Sequence, residues 1–321
     1  MTSNIESQSA DTVLMVQPVR FQFNPQTADS NRFQSDPADT GAADAQQRAL
    51  AEYLGLAQTL TGAGVRVIEI ADTPEPHSPD SVFPNNWITT HADGTVVVYP
   101  MEAPNRRLER RRDIVEHLAF VQGFDVRALL DLSFAETRGR YLEGTGSLVL
   151  DRPNRLAYAA LASRTDPVLV DEFCRRLGYE AVTFTATDDN GFPIYHSNVM
   201  MCVGTRFAVV CLGSIRAADE RRRVVDRLAA SGHEVVEISL SQVARFAGNM
   251  LELRAAGGET LLAMSAQAER ALNEPQRAAL GAHARIVSAP IDTIEQLAGG
   301  SVRCMLAEIH LPPLAAAGDG A

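Results

Sequence analysis

Between residues 86 and 287 one order of hydrophobic and polar positions recurs four times. Residues 86–90 read as a short strand, Asp93-Gly94 as a hairpin turn and 95–99 as a β-branched second strand. Pro104 opens a helix on which Ile114, Leu118 and Val121 share one face; Gly123 stops it, and residues 124–130 return as a strand. The second copy has strands at 147–150 and 156–159 around the turn Arg152-Pro153-Asn154, a helix at 166–176, Gly178 as its stop, and a strand at 180–184. The third has strands at 198–203 and 207–212, a helix at 217–230, Gly232, and a strand at 234–238. The fourth has strands at 250–254 and 260–264 around Gly257-Gly258, a helical stretch at 267–280, and a strand at 284–287. The second strands are spaced by about 50 to 60 residues, a repeat of supersecondary pattern without repetition of residues.

The two ends hold the parts of a fifth copy. Residues 303–309 form a last strand lacking its partner, and 13–17 an opening strand lacking its predecessor. A helix at 43–60, the stops Gly62 and Gly64, and a strand at 65–70 complete the unit. Pairing of the terminal strands would close five ββαβ units into a ring with no open sheet edge at the seam. An ordinary two-domain α/β chain is the competing reading. The ring predicts a single domain over residues 12–312, between a polar tail at 1–11 and an Ala/Gly-rich tail at 313–321. Residues 23–43 are polar and without period, too long for a plain connector, and read as a flap anchored by Phe21, Phe23 and Phe33.

At 321 residues, 45% of them hydrophobic, the chain can bury a substantial core. Arginine supplies all 29 basic charges against 40 acidic ones, and the net charge of −11 argues against a nucleic-acid surface. No stretch approaches the roughly 20 apolar residues of a membrane span. The N-terminus lacks the basic and apolar parts of a signal peptide, so a cytoplasmic location is expected. Four cysteines without short-range pairing do not make a disulfide scaffold.

In a ring of pseudo-repeats, equivalent positions face one axis. The strand starts bring Asn86, Glu143, His196, Asn249 and Cys304 there. A thiol, an imidazole and a carboxylate are the parts of a nucleophile, its acid/base partner and the group that orients that partner. Cys174, Cys202 and Cys211 read as buried structural cysteines. His196, Cys202 and Cys211 lack zinc-ligand spacing, and Gly144-Thr145-Gly146 lacks the further glycine and lysine of a phosphate cradle. No metal or organic cofactor is therefore expected. The run Arg106, Arg107, Arg110, Arg111, Arg112 reads chiefly as a solvated helix face.

Several motifs extend this set: Pro79-Asp80-Ser81-Val82-Phe83-Pro84-Asn85-Asn86-Trp87, Ala103-Pro104-Asn105-Arg106-Arg107, Leu142-Glu143-Gly144, Ser163-Arg164-Thr165, Tyr195-His196-Ser197-Asn198 and Gly299-Gly300-Ser301-Val302-Arg303-Cys304-Met305. In order and spacing they resemble the guanidino-group-modifying enzymes of the pentein superfamily: amidinotransferases, arginine deiminases and dimethylarginine dimethylaminohydrolases. The nearest likeness is to the amidinotransferase-like citrulline-utilisation hydrolases. The resemblance implies an α/β fold, the five-bladed pentein propeller. It also implies Cys304 as nucleophile, His196 as acid/base and Glu143 as its carboxylate partner. Asp80, Asn85, Asn86, Asn198 and Asn249 fall at substrate-binding positions, and Arg106 and Arg164 at those of arginines that hold a substrate α-carboxylate.

Two departures from the pattern bear on the substrate. Asn86 stands where relatives clamp a guanidinium with a carboxylate, and His196-Ser197-Asn198 replaces His-x-Asp. A carboxamide offers both a donor and an acceptor, which complements a neutral ureido group. The expectation is a hydrolase cleaving a C–N bond of a citrulline- or arginine-like amino acid through a covalent Cys304 intermediate. Two alternatives stand beside it: an amidinotransferase passing the group to an amine, and a non-catalytic pentein binder. The expected partner is a small amino-acid substrate, with homo-oligomerisation left open.

Overall fold

Five three-stranded sheets of one design make up the fold. The structure is a computed structural model and describes residues 6–35 and 42–314. In the second sheet, β4 (Thr95–Val98) pairs antiparallel with β3 (Ile88–Thr90) and parallel with β5 (Ala128–Asp131). The third, fourth and fifth sheets repeat this arrangement around Leu156–Ala160, Phe207–Val210 and Thr260–Ser265. The first sheet joins the chain ends. β1 (Thr12–Gln17) runs parallel to β2 (Arg66–Ala71) and antiparallel to the last strand, Ala307–Glu308, with Val13 opposite Glu308.

The middle strands are covered on both faces, so they read as continuous apolar runs rather than alternations. Leu156–Ala160 is buried throughout. The helices have ordinary local causes. In Pro167–Leu177, Asp166 accepts from the backbone N–H of Val168 and Leu169, Pro167 sits at the first turn, and Gly178 ends the helix at φ 72°.

Several elements differ from the sequence expectation. The helix opened by Pro104 is two pieces, a 3₁₀ segment Pro104–Glu109 and a helix Arg112–Phe120. The break turns Arg106 inward to Glu109 and Arg110 to Glu136, so most of the arginine run is not a solvated face; Arg112 is. The stretch at 267–280 divides into Ala266–Ala271 and Glu274–Gly281 because Asn273 and Gln276 form a capping box. Of residues 303–309, the first three belong to the helical turn Val302–Met305, and the strand is the two residues Ala307–Glu308. Likewise, single helical turns at Pro84–Asn86, Gly144–Ser147 and Ser197–Met200 stand just ahead of the strands.

The expected N-terminal tail is a docked segment from residue 6 onward. Glu6 is buried and accepts from Arg152 Nη1 at 2.7 Å, Arg155 Nη1 at 3.1 Å and the Tyr179 hydroxyl at 3.1 Å. Gln8 Nε2 donates to the carbonyls of Leu150 and Val203, and Ala10 bridges to Leu253. A buried contact to Arg152, an exposed one to Arg155 and these backbone bonds hold the segment down. Residues 1–5 of the expected tail, 36–41 of the expected flap and 315–321 lie outside the described residues. Among the described residues no helix is long and apolar enough to cross a membrane.

Candidate active site

Each single-turn segment ahead of a strand, or the residue just before it, brings a reactive or polar residue to one buried cluster: Asn86, Glu143, His196 and Cys304. Cys304 is buried on Val302–Met305, whose first turn closes with Cys304 N–H donating to the Ser301 carbonyl at 2.9 Å. Two carboxamides hold its sulfur: Asn249 Nδ2 at 3.3 Å and Asn198 Nδ2 at 3.5 Å. Asn249 is itself fixed, donating to the Asn198 carbonyl at 3.0 Å and accepting from the Arg303 N–H at 3.0 Å.

His196 Nε2 lies 2.9 Å from Glu143 Oε2, both groups buried. Burial alone would raise the Glu143 carboxyl, but Arg164, His196 and Arg106 around it hold it well below the usual range. Burial pushes His196 down to about 4, outweighing the pull of Glu143. The resting pair is thus a carboxylate and a neutral imidazole whose Nε2–H donates to Glu143, leaving Nδ1 with a lone pair.

Glycine permits this packing at two positions. Gly144 has φ +48°, and a Cβ there would stand 2.2 Å from the Asn85 carbonyl oxygen. At Gly146 a Cβ would lie 2.6 Å from Asn86 Nδ2 and 2.7 Å from His196 Nδ1.

The arginines are more engaged than free carboxylate anchors would be. Arg106 meets Glu109 bidentately, Nε to Oε1 and Nη2 to Oε2, both at 2.9 Å, while Nη1 donates to Asn86 Oδ1 at 3.0 Å. Its planar fork is therefore taken up by Glu109, which corrects the expectation of a substrate-facing fork. Arg164 donates through Nε and Nη2 to the Ser30 hydroxyl at 3.1 and 2.6 Å, and Nη1 lies 3.4 Å from Glu143. Its guanidinium also stacks over the Tyr195 ring at 4.8 Å.

Asp80 is buried, with Oδ2 accepting from Asn24 Nδ2 at 2.7 Å and lying 3.6 Å from Arg106 Nε. Burial raises its carboxyl, with Arg106 and Asn24 opposing. Asp80 Oδ1 and Asn198 Oδ1 are buried acceptors without a partner among the described residues. Asn86 donates to Asn85 Oδ1 at 2.9 Å, and Asn85 turns away to Thr145 Oγ1 at 3.3 Å. Asn85 thus supports Asn86 from behind and does not line the pocket.

The polar stretch at 23–35 lies across the site. Beyond Asn24 and Ser30, Asn31 Nδ2 donates to the Ala298 carbonyl at 2.9 Å. With it in place the space among Asp80, Asn86, Arg164, His196 and Cys304 is about 10 Å³, room for one water. Asn24, Ser30, Asn31 and Glu109 were not singled out in the sequence; only the Arg106/Glu109 spacing of three carried a signal.

The family model for N,N dimethylarginine dimethylhydrolase, eukaryotic, matches residues 17–311. The chain belongs to this family. Penteins of this family are guanidino-group-modifying enzymes, and the five ββαβ sheets are their fold. The N-terminal domain of ArgZ, an arginine dihydrolase from the ornithine-ammonia cycle in cyanobacteria, superposes in its substrate-bound Cys-to-Ser form with TM-score 0.70 at 16% identity. The match covers 94% of this chain and 99% of that domain. Full-length AgrE, in its ternary complex with ornithine and NAD⁺, matches at TM-score 0.70 and 18% identity over 94% of this chain. A dimethylarginine dimethylaminohydrolase adduct with S-methyl-L-thiocitrulline matches at TM-score 0.61 and 14% identity, over 94% of this chain and 100% of that one. The chain spans 41% of full-length ArgZ and 39% of AgrE. No curated protein sequence matches it.

Proposed function

We propose that this family member hydrolyses the guanidino group of arginine, or a close analogue, and carries the ureido product through a second hydrolysis. The observation that supports this reading best is a buried acceptor without a partner among the described residues, Asp80 Oδ1, in the pocket that His196 and Cys304 line. Buried acceptors left unpaired are costly, and a guanidinium brings N–H donors to satisfy them. The charge balance points the same way. Arg106 is taken up by Glu109 and Arg164 lies beside Glu143, which leaves the Asp80 carboxyl to face a cationic amino acid. The carboxamides of Asn86 and Asn198 can then retain a neutral ureido group, which the carboxylates of a deiminase would favour less. ArgZ, a structural neighbour, is an arginine dihydrolase.

In this mechanism Cys304 sulfur bonds to the guanidino carbon as neutral His196 takes up the thiol proton. The C–N bond to a terminal nitrogen breaks, and that nitrogen leaves as ammonia with the proton from His196. Water, deprotonated by His196, forms the new C–O bond as the C–S bond breaks, giving the ureido product. A second water and a second passage through Cys304 convert it to ornithine, ammonia and carbon dioxide. Glu143 stabilises the transient imidazolium. Arg164 binds the α-carboxylate once Ser30 leaves its fork.

Incubating pure protein with arginine while following ornithine and ammonia tests the reading. Two ammonia per ornithine is the expected result. Arginine consumption that needs an added amine acceptor would establish a transferase instead, and no consumption of arginine or citrulline would sink the hydrolase reading.

A further inference from the structure

One buried carboxylate beside the site has no part in the chemistry above. Glu109 sits three residues after Arg106 and spends both oxygens on it, while Oε1 also accepts from the Ser78 hydroxyl at 2.8 Å. The line of contacts continues inward, from Arg106 Nη1 to Asn86 Oδ1 at 3.0 Å and from Asn86 Nδ2 to Asn85 Oδ1 at 2.9 Å. A carboxamide can present either of its ends, and these two contacts decide which. Asn86 Oδ1 is tied to Arg106 and one Nδ2 hydrogen is used by Asn85. The other Nδ2 hydrogen remains for a ligand in the pocket that Asn86 lines. Asn86 is therefore set as a donor toward substrate. A donor suits the oxygen of a ureido group and gains nothing from the N–H edge of a guanidinium.

We propose that Glu109 is a positioning residue that, through Arg106, locks the Asn86 carboxamide donor-inward and so commits the ureido intermediate to its second hydrolysis. This rests on the two-step reading given above. Without Glu109 the guanidinium of Arg106 has Asp80 and Glu143 within 3.6 Å to turn toward, and Asn86 is free to flip. The first hydrolysis, whose substrate offers donors to Asp80, depends less on that orientation.

The test compares wild type with Glu109→Gln, which keeps the volume but sets an amide N–H₂ against one arm of the fork. With arginine as substrate, the ratio of released citrulline to ornithine should rise about tenfold, the scale of one lost buried hydrogen bond. Activity on added citrulline should fall by more than arginine consumption does. Ser78→Ala, a milder loosening of the same carboxylate, should move the ratio the same way by less, and it answers the question if Glu109→Gln does not fold. An unchanged ratio with arginine consumption merely slowed would overturn the proposal. If wild type consumes no arginine, or stops at citrulline, the functional reading is what has failed. Glu109 is then judged on crystal structures of wild type and variant. Arg106 withdrawn from Asn86 in the variant supports the positioning role, and Arg106 unmoved refutes it.

Discussion

The Ser30 hydroxyl closes the guanidinium fork of Arg164, accepting from Nε at 3.1 Å and from Nη2 at 2.6 Å. That is where a carboxylate would dock with both its oxygens, and a serine oxygen from the covering segment stands in for it. The same guanidinium donates to the Thr27 carbonyl at 3.3 Å. In the proposed mechanism, binding of an amino acid exchanges these flap contacts for substrate contacts at one side chain.

Arg164→Lys keeps the charge and loses the fork. It should raise KM for arginine about tenfold or more, with a smaller effect on kcat, because the α-carboxylate is bound equally in ground and transition states. Steady-state kinetics check this; a fall in kcat at constant KM would place Arg164 in the chemical step instead.

Gly146→Ala introduces a methyl group 2.6 Å from Asn86 Nδ2 and 2.7 Å from the His196 ring. Neither group is at the free end of a flexible chain, and His196 cannot retreat without lengthening its bond to Glu143. The variant should fold, with a stability loss of about 1–3 kcal/mol, the usual cost of overpacking. Its kcat should fall about a hundredfold, since small misplacements of acid/base groups cost that much. Thermal melts and kcat together check the claim, and a fully active variant would show that the His196–Asn86 contact is slack.

The order of the five units and the closure of the chain on itself were legible because both depend on apolar periodicity and turn residues, which are local signals. Cys304, His196, Glu143, Asn86 and Asn249 were legible because pseudo-symmetry brings equivalent positions to one axis, whereas Asn198 entered only through the family resemblance. The single-turn helices ahead of the strands were not, since four residues carry too little periodicity to separate from a strand start. Glu6, Asn24 and Ser30 were hidden for another reason. Each is a polar residue in a stretch without period, and its role depends on Arg152, Asp80 or Arg164, more than 50 residues away in each case. Arg106 was placed in the site, but its engagement with Glu109 was not anticipated, because the same i,i+3 spacing describes an exposed helix pair equally well.

Glu6 anchors the N-terminal segment by compensating buried Arg152. Among the described residues, Glu6→Ala leaves that guanidinium with Glu308 at 3.7 Å and the Thr90 carbonyl at 3.4 Å. The expected loss of stability is about 3–5 kcal/mol, as for other broken buried pairs. Urea denaturation measures it, and a loss under about 1 kcal/mol would show that the segment is not firmly docked.

Stability should also respond to pH through Glu295, a buried carboxyl that accepts from Ser301 Oγ at 2.6 Å and Gln267 Nε2 at 2.8 Å. Burial pushes it up to about 7, with the Ser265, Ser301 and Gln267 bonds opposing. A group whose folded value is raised contributes stability that is fully present below the unfolded value near 4.5 and lost as pH rises through 7. Glu295→Gln mimics the protonated form, so its melting temperature should fall less than that of wild type between pH 5 and pH 8. Parallel slopes for the two proteins would rule Glu295 out as the titrating group.

The central claim is that Cys304 carries the substrate carbon as a covalent intermediate. Acid quench during arginine turnover, followed by peptide mass spectrometry, tests it most directly. The account predicts an adduct on the Cys304 peptide equal in mass to arginine less ammonia. That adduct should be absent from Cys304→Ser, which should stay folded but inactive because its hydroxyl is a far weaker nucleophile. Turnover of arginine with no adduct on Cys304, or an active Cys304→Ser protein, would contradict the account.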